Sequence, residues 1–262
     1  MNSTIRKFSR TPTQKMRLGA LLLLSTATIA LMAAPAYANP AGGAVTTGSA
    51  SISTSTNKTS VDQKSEDVVI DWSSFNVGSG QTTQFVQPNA SALAVNRIGG
   101  ANASQILGTL DANGRIVLIN GNGLIIGKGA QVNVGSLIAT STDDSDSDLL
   151  AGKFTQAGKQ NASVVNNGTI TAASGGVVAL VAPNVTNTGT INAKLGTVAL
   201  GAANKFTVDF AGDGLVSFAA QGDVNARASA INSGLLSGAN VSMTAHAANG
   251  IATGVVANQS LV

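Results

Sequence analysis

The acidic run at residues 141–148, STDDSDSD, is the densest group of side chains in this chain that could do chemistry. Four carboxylates lie within six positions, and carboxylate oxygens are the ligands that calcium prefers: Asp143, Asp144, Asp146 and Asp148. A twelve-residue calcium loop also needs a glycine and a terminal glutamate at fixed positions, and this spacing lacks both. We therefore predict a solvated turn or an irregular protrusion, because runs of like charge are usually exposed.

Groups for acid–base or nucleophilic catalysis are scarce. The chain has no cysteine, and its one histidine, His246, has no recognisable catalytic partner in the surrounding sequence SMTAHAA. We interpret His246 as an outward or hydrogen-bonded residue. The remaining candidates for a carbohydrate-active enzyme are Asp209, Asp213, Asp223 and Arg227, whose spacing suits turns equally well.

The elements that must position any site centre on residues 95–140. An aliphatic run at residues 115–119 ends in Asn120, Gly121, Asn122 and Gly123, residue types that tolerate left-handed backbone. Apolar residues 124–126 follow, and residues 130–134 then alternate between apolar and polar. This pattern predicts either a hairpin or a corner between turns of a solenoid. The glycine spacing GxGxxxG is not the dinucleotide fingerprint.

Internal repeats favour the corner. VVNNGTITA at residues 164–172 recurs as VTNTGTINA at residues 185–193, and GGVVAL at 175–180 recurs as LGTVAL at 195–200. Further copies begin at Ile231 and Val255. A period near 20 residues with strand–turn content indicates one solenoid turn per repeat, and each unit is too short for a helical crossover. We therefore predict an all-β parallel β-helix with few helices.

Other stretches fit this plan as additions to the regular coil. Residues 68–70, 82–87, 105–110 and 115–119 are predicted strands, with Trp72, Phe75 and Phe85 supplying bulk. Residues 39–57 are predicted as a weak first strand or a flexible lead. Residues 205–220 interrupt the repeats, and their Phe206, Phe210 and Phe218 predict a small extra-helical sheet.

The N-terminal 38 residues are predicted to be a secretory signal peptide. Five basic residues precede an apolar run at residues 18–34, and Ala36 and Ala38 fit a small-x-small cleavage pattern. An uncleaved membrane anchor remains the alternative, although the run is short for a span. Removal of the signal leaves ten Lys and Arg against twelve Asp and Glu, a net charge of −2. The basic isoelectric point therefore gives no argument for nucleic acid as a partner.

Three segments together resemble the N-terminal secretion domain of the filamentous haemagglutinin family of two-partner secretion exoproteins. They are IDWSSFNVGSGQTTQFVQPNASALAVNRIGG, ILGTLDANGRIVLINGNGLIIGKGAQVNVGSLIAT and DSDLLAGKF. The resemblance covers essentially all of residues 39–262. It implies a right-handed parallel β-helix with N-terminal capping strands, divided into capping strands and first turns at 39–160 and regular turns at 161–262.

The resemblance also implies how the protein travels. Members enter the periplasm through the Sec machinery, and periplasmic modules of a dedicated outer-membrane β-barrel bind the domain. Folding outside the cell then helps to draw the rest of the chain through. Members are commonly adhesins, haemagglutinins, cytolysins or contact-dependent toxins, so a host-cell surface or its glycans is a further candidate partner. The expected location is the cell surface or the medium.

Two departures from the family pattern concern the turn and the end of the chain. Gly121 stands where the family usually has proline in Asn-Pro-Asn-Gly, which removes a preset φ. The repeats end at Val262 within a copy, so we expect a fragment, a truncated product or a short member.

We predict a non-enzymatic secretion and adhesion module, without metal or cofactor, that acts by β-augmentation. Asn96 and Arg97, together with Asn120, Gly121, Asn122 and Gly123, are predicted either to shape the transporter recognition surface or to serve corner formation and capping alone. The alternatives are a β-helix carbohydrate-active enzyme, which would need at least three carboxylates on one face, and a non-functional remnant.

Overall fold

The computed structural model describes residues 39–156, 159, 161–203, 205–208, 216–218, 228–245 and 255–258. Within them the chain forms short strands and one helix of five residues. The elements are β1 (Ala44–Thr47), β2 (Ala50–Thr54), β3 (Lys58–Gln63), β4 (Asp67–Trp72), β5 (Thr82–Val86), β6 (Leu93–Ile98), β7 (Ser104–Ile106), β8 (Thr109–Ala112), β9 (Arg115–Asn120), β10 (Leu124–Ile126), β11 (Gln131–Val134), β12 (Ser136–Thr140), α1 (Asp146–Leu150), β13 (Lys153–Phe154), β14 (Ser163–Asn166), β15 (Thr169–Ala172), β16 (Val177–Ala182), β17 (Asn184–Asn187), β18 (Thr190–Ala202), β19 (Phe206–Val208), β20 (Val216–Phe218), β21 (Ser229–Asn232), β22 (Leu235–Ala245) and β23 (Val255–Asn258). No helix in these ranges is long and apolar enough to span a membrane.

The strands stack into three parallel faces. Face A contains β3, β5, β8, β11, β15 and the first parts of β18 and β22. Face B contains β4, β6, β9, β12, β16 and the second parts of β18 and β22. Face C contains β7, β10, β14, β17, β21 and β23. Because the chain visits the faces in the repeating order A, B, C, each circuit is one rung of a parallel β-helix, which confirms the predicted fold.

The pairing register confirms the repeat period. Val164 pairs with Val185 on face C, and Val178 pairs with Val198 on face B. Each strand therefore lies beside its own counterpart one rung away, and the parallel ladders satisfy its backbone groups. The stretch around Asn120 is a corner, since Leu124 pairs with Ser104 and Val164 rather than with β9.

One predicted strand is wrong in detail. Residues 105–110 form two strands, because β7 ends at Ile106 and β8 begins at Thr109. Gly108 lies at the corner between them, where an added Cβ would come within 2.2 Å of the Gly78 carbonyl oxygen. Only glycine permits this close approach of two backbones. The chain therefore passes from face C to face A within a run that looks like one apolar strand in the sequence.

Faces A and B differ in how they are buried. On face A, β11 alternates between exposed and buried residues, whereas on face B every residue of β9 after Arg115 is buried. Inward residues of both faces, such as Ile116 and Val132, fill the coil. Each fully buried Val, Leu or Ile contributes about 1.5–3 kcal/mol of transfer free energy. Outward residues of face B, such as Val117, belong to a second apolar cluster that includes residues outside the coil.

Two excursions from the coil contribute those outer residues. The first lies between β12 and β14, at residues 141–162, and the second lies between β18 and β21. β13 from the first pairs antiparallel with β19 from the second, and β19 pairs antiparallel with β20. Phe206 lies opposite Phe218, which confirms the predicted extra sheet. The sequence did not predict that Phe154 joins it, stacked on Phe206 at 4.4 Å between ring centroids.

Two antiparallel strands cap the N-terminal end. β1 pairs with β4 on face B, and β2 pairs with β3 on face A. The ambiguous stretch at residues 39–57 therefore contains two strands, which confirms the prediction of capping strands. Several predicted features lie outside the described residues: the signal peptide with Ala36 and Ala38, the lone histidine His246, the aromatic Phe210, and the enzyme candidates Asp209, Asp213, Asp223 and Arg227.

Candidate functional site

The corner at residues 120–123 is a tight, hydrogen-bonded turn. The Gly123 N–H donates to the Asn120 carbonyl at 2.8 Å, and the Asn122 N–H donates to Asn120 Oδ1 at 2.9 Å. Gly123 has φ of 101°, whereas neither Gly121 nor Asn122 has a positive φ. These values describe a type I turn closed by an asparagine side chain.

Neighbouring rungs hold the corner from both sides. Asn120 Nδ2 donates to the carbonyl of Asn102 and to Ser104 Oγ, both at 3.0 Å. Asn122 Nδ2 donates to the Gly100 carbonyl at 2.7 Å. On the other side, a Cβ on Gly123 would come within 2.4 Å of the Ser163 carbonyl oxygen. Asn120 is fully buried, so Gly121 and Asn122 are the parts of the corner that reach solvent.

Asn96 lies inside the coil. It is fully buried, and its Oδ1 accepts a hydrogen bond from Trp72 Nε1 at 2.9 Å. Its Nδ2 donates to the carbonyls of Ala94 and Val117. Because all of these partners are internal, Asn96 can influence a surface only by orienting Trp72 and the strands around it.

Arg97 points outward and holds the acidic loop. Its Nε donates to both carboxylate oxygens of Asp143 at 3.0 and 3.1 Å, and its Nη1 donates to Asp71 at 3.1 Å. Its Nη2 donates to the Asp144 carbonyl at 2.9 Å and to Asp146 at 3.0 Å. Burial opposes the charge of Arg97, but these carboxylates outweigh it and raise the pKa of the guanidinium.

Residues 141–148 were predicted to be a solvated turn or an irregular protrusion; they lie in an irregular excursion, and the solvated turn is wrong for most of its carboxylates. Asp143 and Asp146 dock on Arg97, and Asp144 accepts hydrogen bonds from the backbone and side chain of Thr155. Ser145 caps α1 by accepting from the Asp148 N–H. The loop is therefore ordered by ion pairs and hydrogen bonds. The sequence did not reveal this, because Arg97, the cation that holds the loop, lies more than 40 residues away.

The two sets of predicted residues lie close together. β6 and β9 are neighbours on face B, where Ile98 pairs with Asn120 and Asn96 pairs with Leu118. Arg97 and the corner therefore occupy the same end of adjacent strands. Nothing in the described residues groups three or more His, Cys, Asp or Glu as metal ligands. This arrangement offers a fixed surface at one end of two interior strands, together with a cluster of charges.

A capped parallel β-helix with side excursions defines a β-solenoid class of protein. The family model of the TPS secretion domain matches residues 36–262, and the chain therefore belongs to the two-partner secretion domain family. Proteins with this domain are exported to the cell surface or secreted.

Individual relatives agree with this assignment. The chain is 45% identical over 129 residues to a heme/hemopexin-binding protein of Haemophilus influenzae strain Rd, covering 49% of this chain and 14% of that protein. A second heme/hemopexin-binding protein of Haemophilus influenzae is 48% identical over 90 residues, covering 34% of this chain and 10% of that protein. The crystal structure of the HMW1 secretion domain from Haemophilus influenzae matches with a TM-score of 0.66 and 29% identity, over 79% of this chain and 57% of that one.

Proposed function

We propose that this chain is the secretion module of a two-partner exoprotein and that periplasmic modules of a cognate outer-membrane β-barrel bind it. Binding uses β-augmentation, in which a strand edge that is not yet covered pairs with a strand of the transporter. The Asn120–Gly123 corner and the Asn96–Arg97 pair shape the surface that is recognised. Family membership supports this proposal.

The two ends of the coil carry the argument for folding at the cell surface. Antiparallel strands β1 and β2 cover the N-terminal end, so the backbone groups of β4 and β3 are not open to a further parallel rung there. At the other end, β22 pairs with β18 alone among the described strands, and its Leu235 and Val241 are about half exposed, at 50% and 47%. In this proposal further rungs stack on the β22 edge, and the module nucleates β-helix growth from it.

The route begins with a signal peptide at residues 1–38, removed after Ala38, and Sec-dependent entry to the periplasm. The mature module then comprises residues 39–262, with capping strands and first rungs at 39–160 and later rungs at 161–262. The sequence contains no cysteine, which suits this route because no disulfide could lock the chain before it crosses the outer membrane.

The module itself is proposed to be non-enzymatic. Within the part of the chain that the structure describes, the convergent carboxylates Asp71, Asp143 and Asp146 all bind Arg97, which supports this proposal because none of the three is left free to act on a polysaccharide. An open groove of about 480 Å³ at the corner between faces C and A is lined by Gly, Asn, Ser, Thr and Leu residues alone. Recognition of a host-cell surface or glycan is proposed to belong to sequence beyond this module.

The test is binding of residues 39–262 to the purified periplasmic modules of the β-barrel encoded beside this chain. We expect saturable binding that Asn122→Ala weakens, because Asn122 is the half-buried side chain of the corner. Asn133→Ala is the control, since Asn133 is an exposed asparagine on face A whose side chain donates to Asp111. Absence of wild-type binding contradicts the proposed function. Equal binding by folded Asn122→Ala and Asn133→Ala assigns the corner a structural role only.

A further inference from the structure

The cap strand β1 covers an apolar strand edge and is itself only partly buried. It pairs with β4 in the register Val45 to Ile70 and Thr47 to Val69, with an irregularity between the two pairs. Residues 68–70 of β4 are fully buried, whereas no residue of β1 is. Removal of β1 would therefore expose the backbone groups of β4 and remove Val45 from the core, while the pairing of β4 with β6 remained.

A residue from the first excursion clips β1 in position. Thr47 Oγ1 donates to Asp146 Oδ2 at 2.6 Å across 99 positions of sequence, and Asp146 Oδ1 accepts from Arg97 at 3.0 Å. The excursion is anchored by Leu149 and Phe154, both fully buried in the outer cluster on face B. Thr47, Asp146 and Arg97 thus form one connected chain of contacts from the cap to the excursion.

The clip can form only after the excursion has reached the coil. Until residues 141–162 are in place, β1 lacks the Asp146 contact, and Arg97 keeps only Asp71 of its carboxylate partners. The edge of β4 can then be opened, and the guanidinium of Arg97 one strand away lacks Asp143 and Asp146, two of its three carboxylate partners. An extended segment that carries a carboxylate matches both features, because it supplies backbone hydrogen bonds and a partner for Arg97.

We propose that a strand of the transporter's periplasmic module binds the edge of β4 in the place of β1, with a carboxylate directed to Arg97, and that the Asp146–Thr47 clip closes this edge when the first excursion docks. This inference rests on the proposed function and names the strand edge that the transporter uses. Closure would weaken the interaction, so release is favoured by the arrival of residues 141–162.

A reversible crosslink between β1 and β4 tests the proposal. Val45→Cys with Ile70→Cys places two thiols opposite each other on antiparallel strands, at Cα separations that suit a disulfide, and the natural chain has no cysteine to compete. We expect oxidation to weaken binding to the periplasmic modules by about tenfold or more, and reduction to restore it. The matched control is Ile52→Cys with Val61→Cys, which ties the other cap strand β2 to β3.

The clip is tested separately with two isosteric changes in the first excursion. Asp146→Asn removes the charge that links Thr47 and Arg97, and we expect it to strengthen transporter binding several-fold. Asp148→Asn makes the same change in charge two residues later, where the carboxylate contacts Ser145 and Lys153 instead. If both variants bind alike, Asp146 does not close the edge.

The outcomes separate the two proposals. If the oxidised β1–β4 double-cysteine protein binds as well as its reduced form while wild type also binds, the β4 edge is not the docking site and the proposed function stands. Equal loss of binding in the β2–β3 control contradicts the choice of β4. Failure of every protein to bind, in either redox state, contradicts the proposed function itself.

Discussion

Arg97 and Asp143 are 46 positions apart in sequence, yet Arg97 Nε lies 3.0 Å from one carboxylate oxygen of Asp143 and 3.1 Å from the other. The contact joins β6 of face B to a loop that leaves the coil two rungs later. It is shielded, because only 22% of the Arg97 side chain is exposed. The pair therefore fastens the first excursion to the part of the coil that carries the cap.

A double-mutant cycle on Arg97→Ala and Asp143→Ala measures this contact. We expect a coupling of about 1 kcal/mol or more in the free energy of unfolding, because the pair is part of a partly buried network. The control is Lys64 with Asp62, an ion pair whose side chains are 61% and 45% exposed and whose expected coupling is only about 0.2–1 kcal/mol. Urea unfolding of residues 39–262 supplies both values. Equal coupling in the two cycles would show that the Arg97 network adds nothing.

Stability should depend on pH through Asp146. The hydrogen bond from Thr47, aided by Arg97 against the effect of burial, lowers the pKa of Asp146 in the folded state. A lowered folded-state pKa gives stability that is complete well above the unfolded-state pKa, about 3.9, and is lost as the pH falls through the folded-state pKa. We expect the difference in urea midpoint between wild type and Asp146→Asn to be constant near neutral pH and to shrink from about pH 4 downward. A difference that grows on acidification would reverse this assignment.

The repeats predicted the coil because the residues that form each rung are close together in sequence. The offset between VVNNGTITA and VTNTGTINA is the pairing register of β14 with β17. Asn120 to Gly123 predicted a corner for the same reason, since turn chemistry is encoded within four residues. The Arg97 network was not predictable, because its carboxylates come from an irregular loop with no period. The same holds for Phe154, whose partner Phe206 lies in the other excursion.

Three stacked asparagines connect successive rungs, and mutation of the middle one measures how much the rungs stabilise one another. Asn166 Nδ2 donates to Asn187 Oδ1, and Asn187 Nδ2 donates to Asn232 Oδ1, both at 2.7 Å in the interior. Asn187→Ala removes the middle member, so we expect a loss of about 2–3 kcal/mol, because buried amide groups above and below lose a partner. Asn133→Ala on the exposed surface should change stability by about 0.5 kcal/mol or less. Similar effects at the two positions would show that the stacked asparagines contribute little to stability.

Leu195 adopts a backbone conformation that its side chain disfavours. Its φ is 55°, the one positive value at a non-glycine residue in the described ranges, and the side chain is 72% exposed. The corresponding corner one rung earlier has Gly175, with φ of 80°. Leu195→Gly should therefore stabilise the domain by about 0.5–1 kcal/mol in urea unfolding. Leu195→Ala keeps the Cβ, so an equal gain from alanine would trace the effect to the exposed side chain instead of the backbone.

Replacement of Gly121 by proline should restore a rigid corner. Gly121 is the second residue of a type I turn, the position that proline favours, and its φ is not positive. The preceding Asn120 ends a strand, so its backbone is already in the extended region that a following proline requires. Proline removes freedom from the unfolded chain, and we expect Gly121→Pro to raise the unfolding free energy by about 0.4–1 kcal/mol.

Gly121→Ala separates the effect of the ring from that of a bare Cβ at this corner. Alanine restricts the unfolded chain less than proline does, so its gain should be smaller, and a gain as large as that of proline would contradict the ring argument. Transporter binding adds a second measurement on the same two proteins. If the transporter touches the ring directly, Gly121→Pro should bind more tightly than Gly121→Ala by more than their difference in stability explains. If the corner acts only by holding adjacent rungs in place, the two binding constants should agree once both proteins are fully folded.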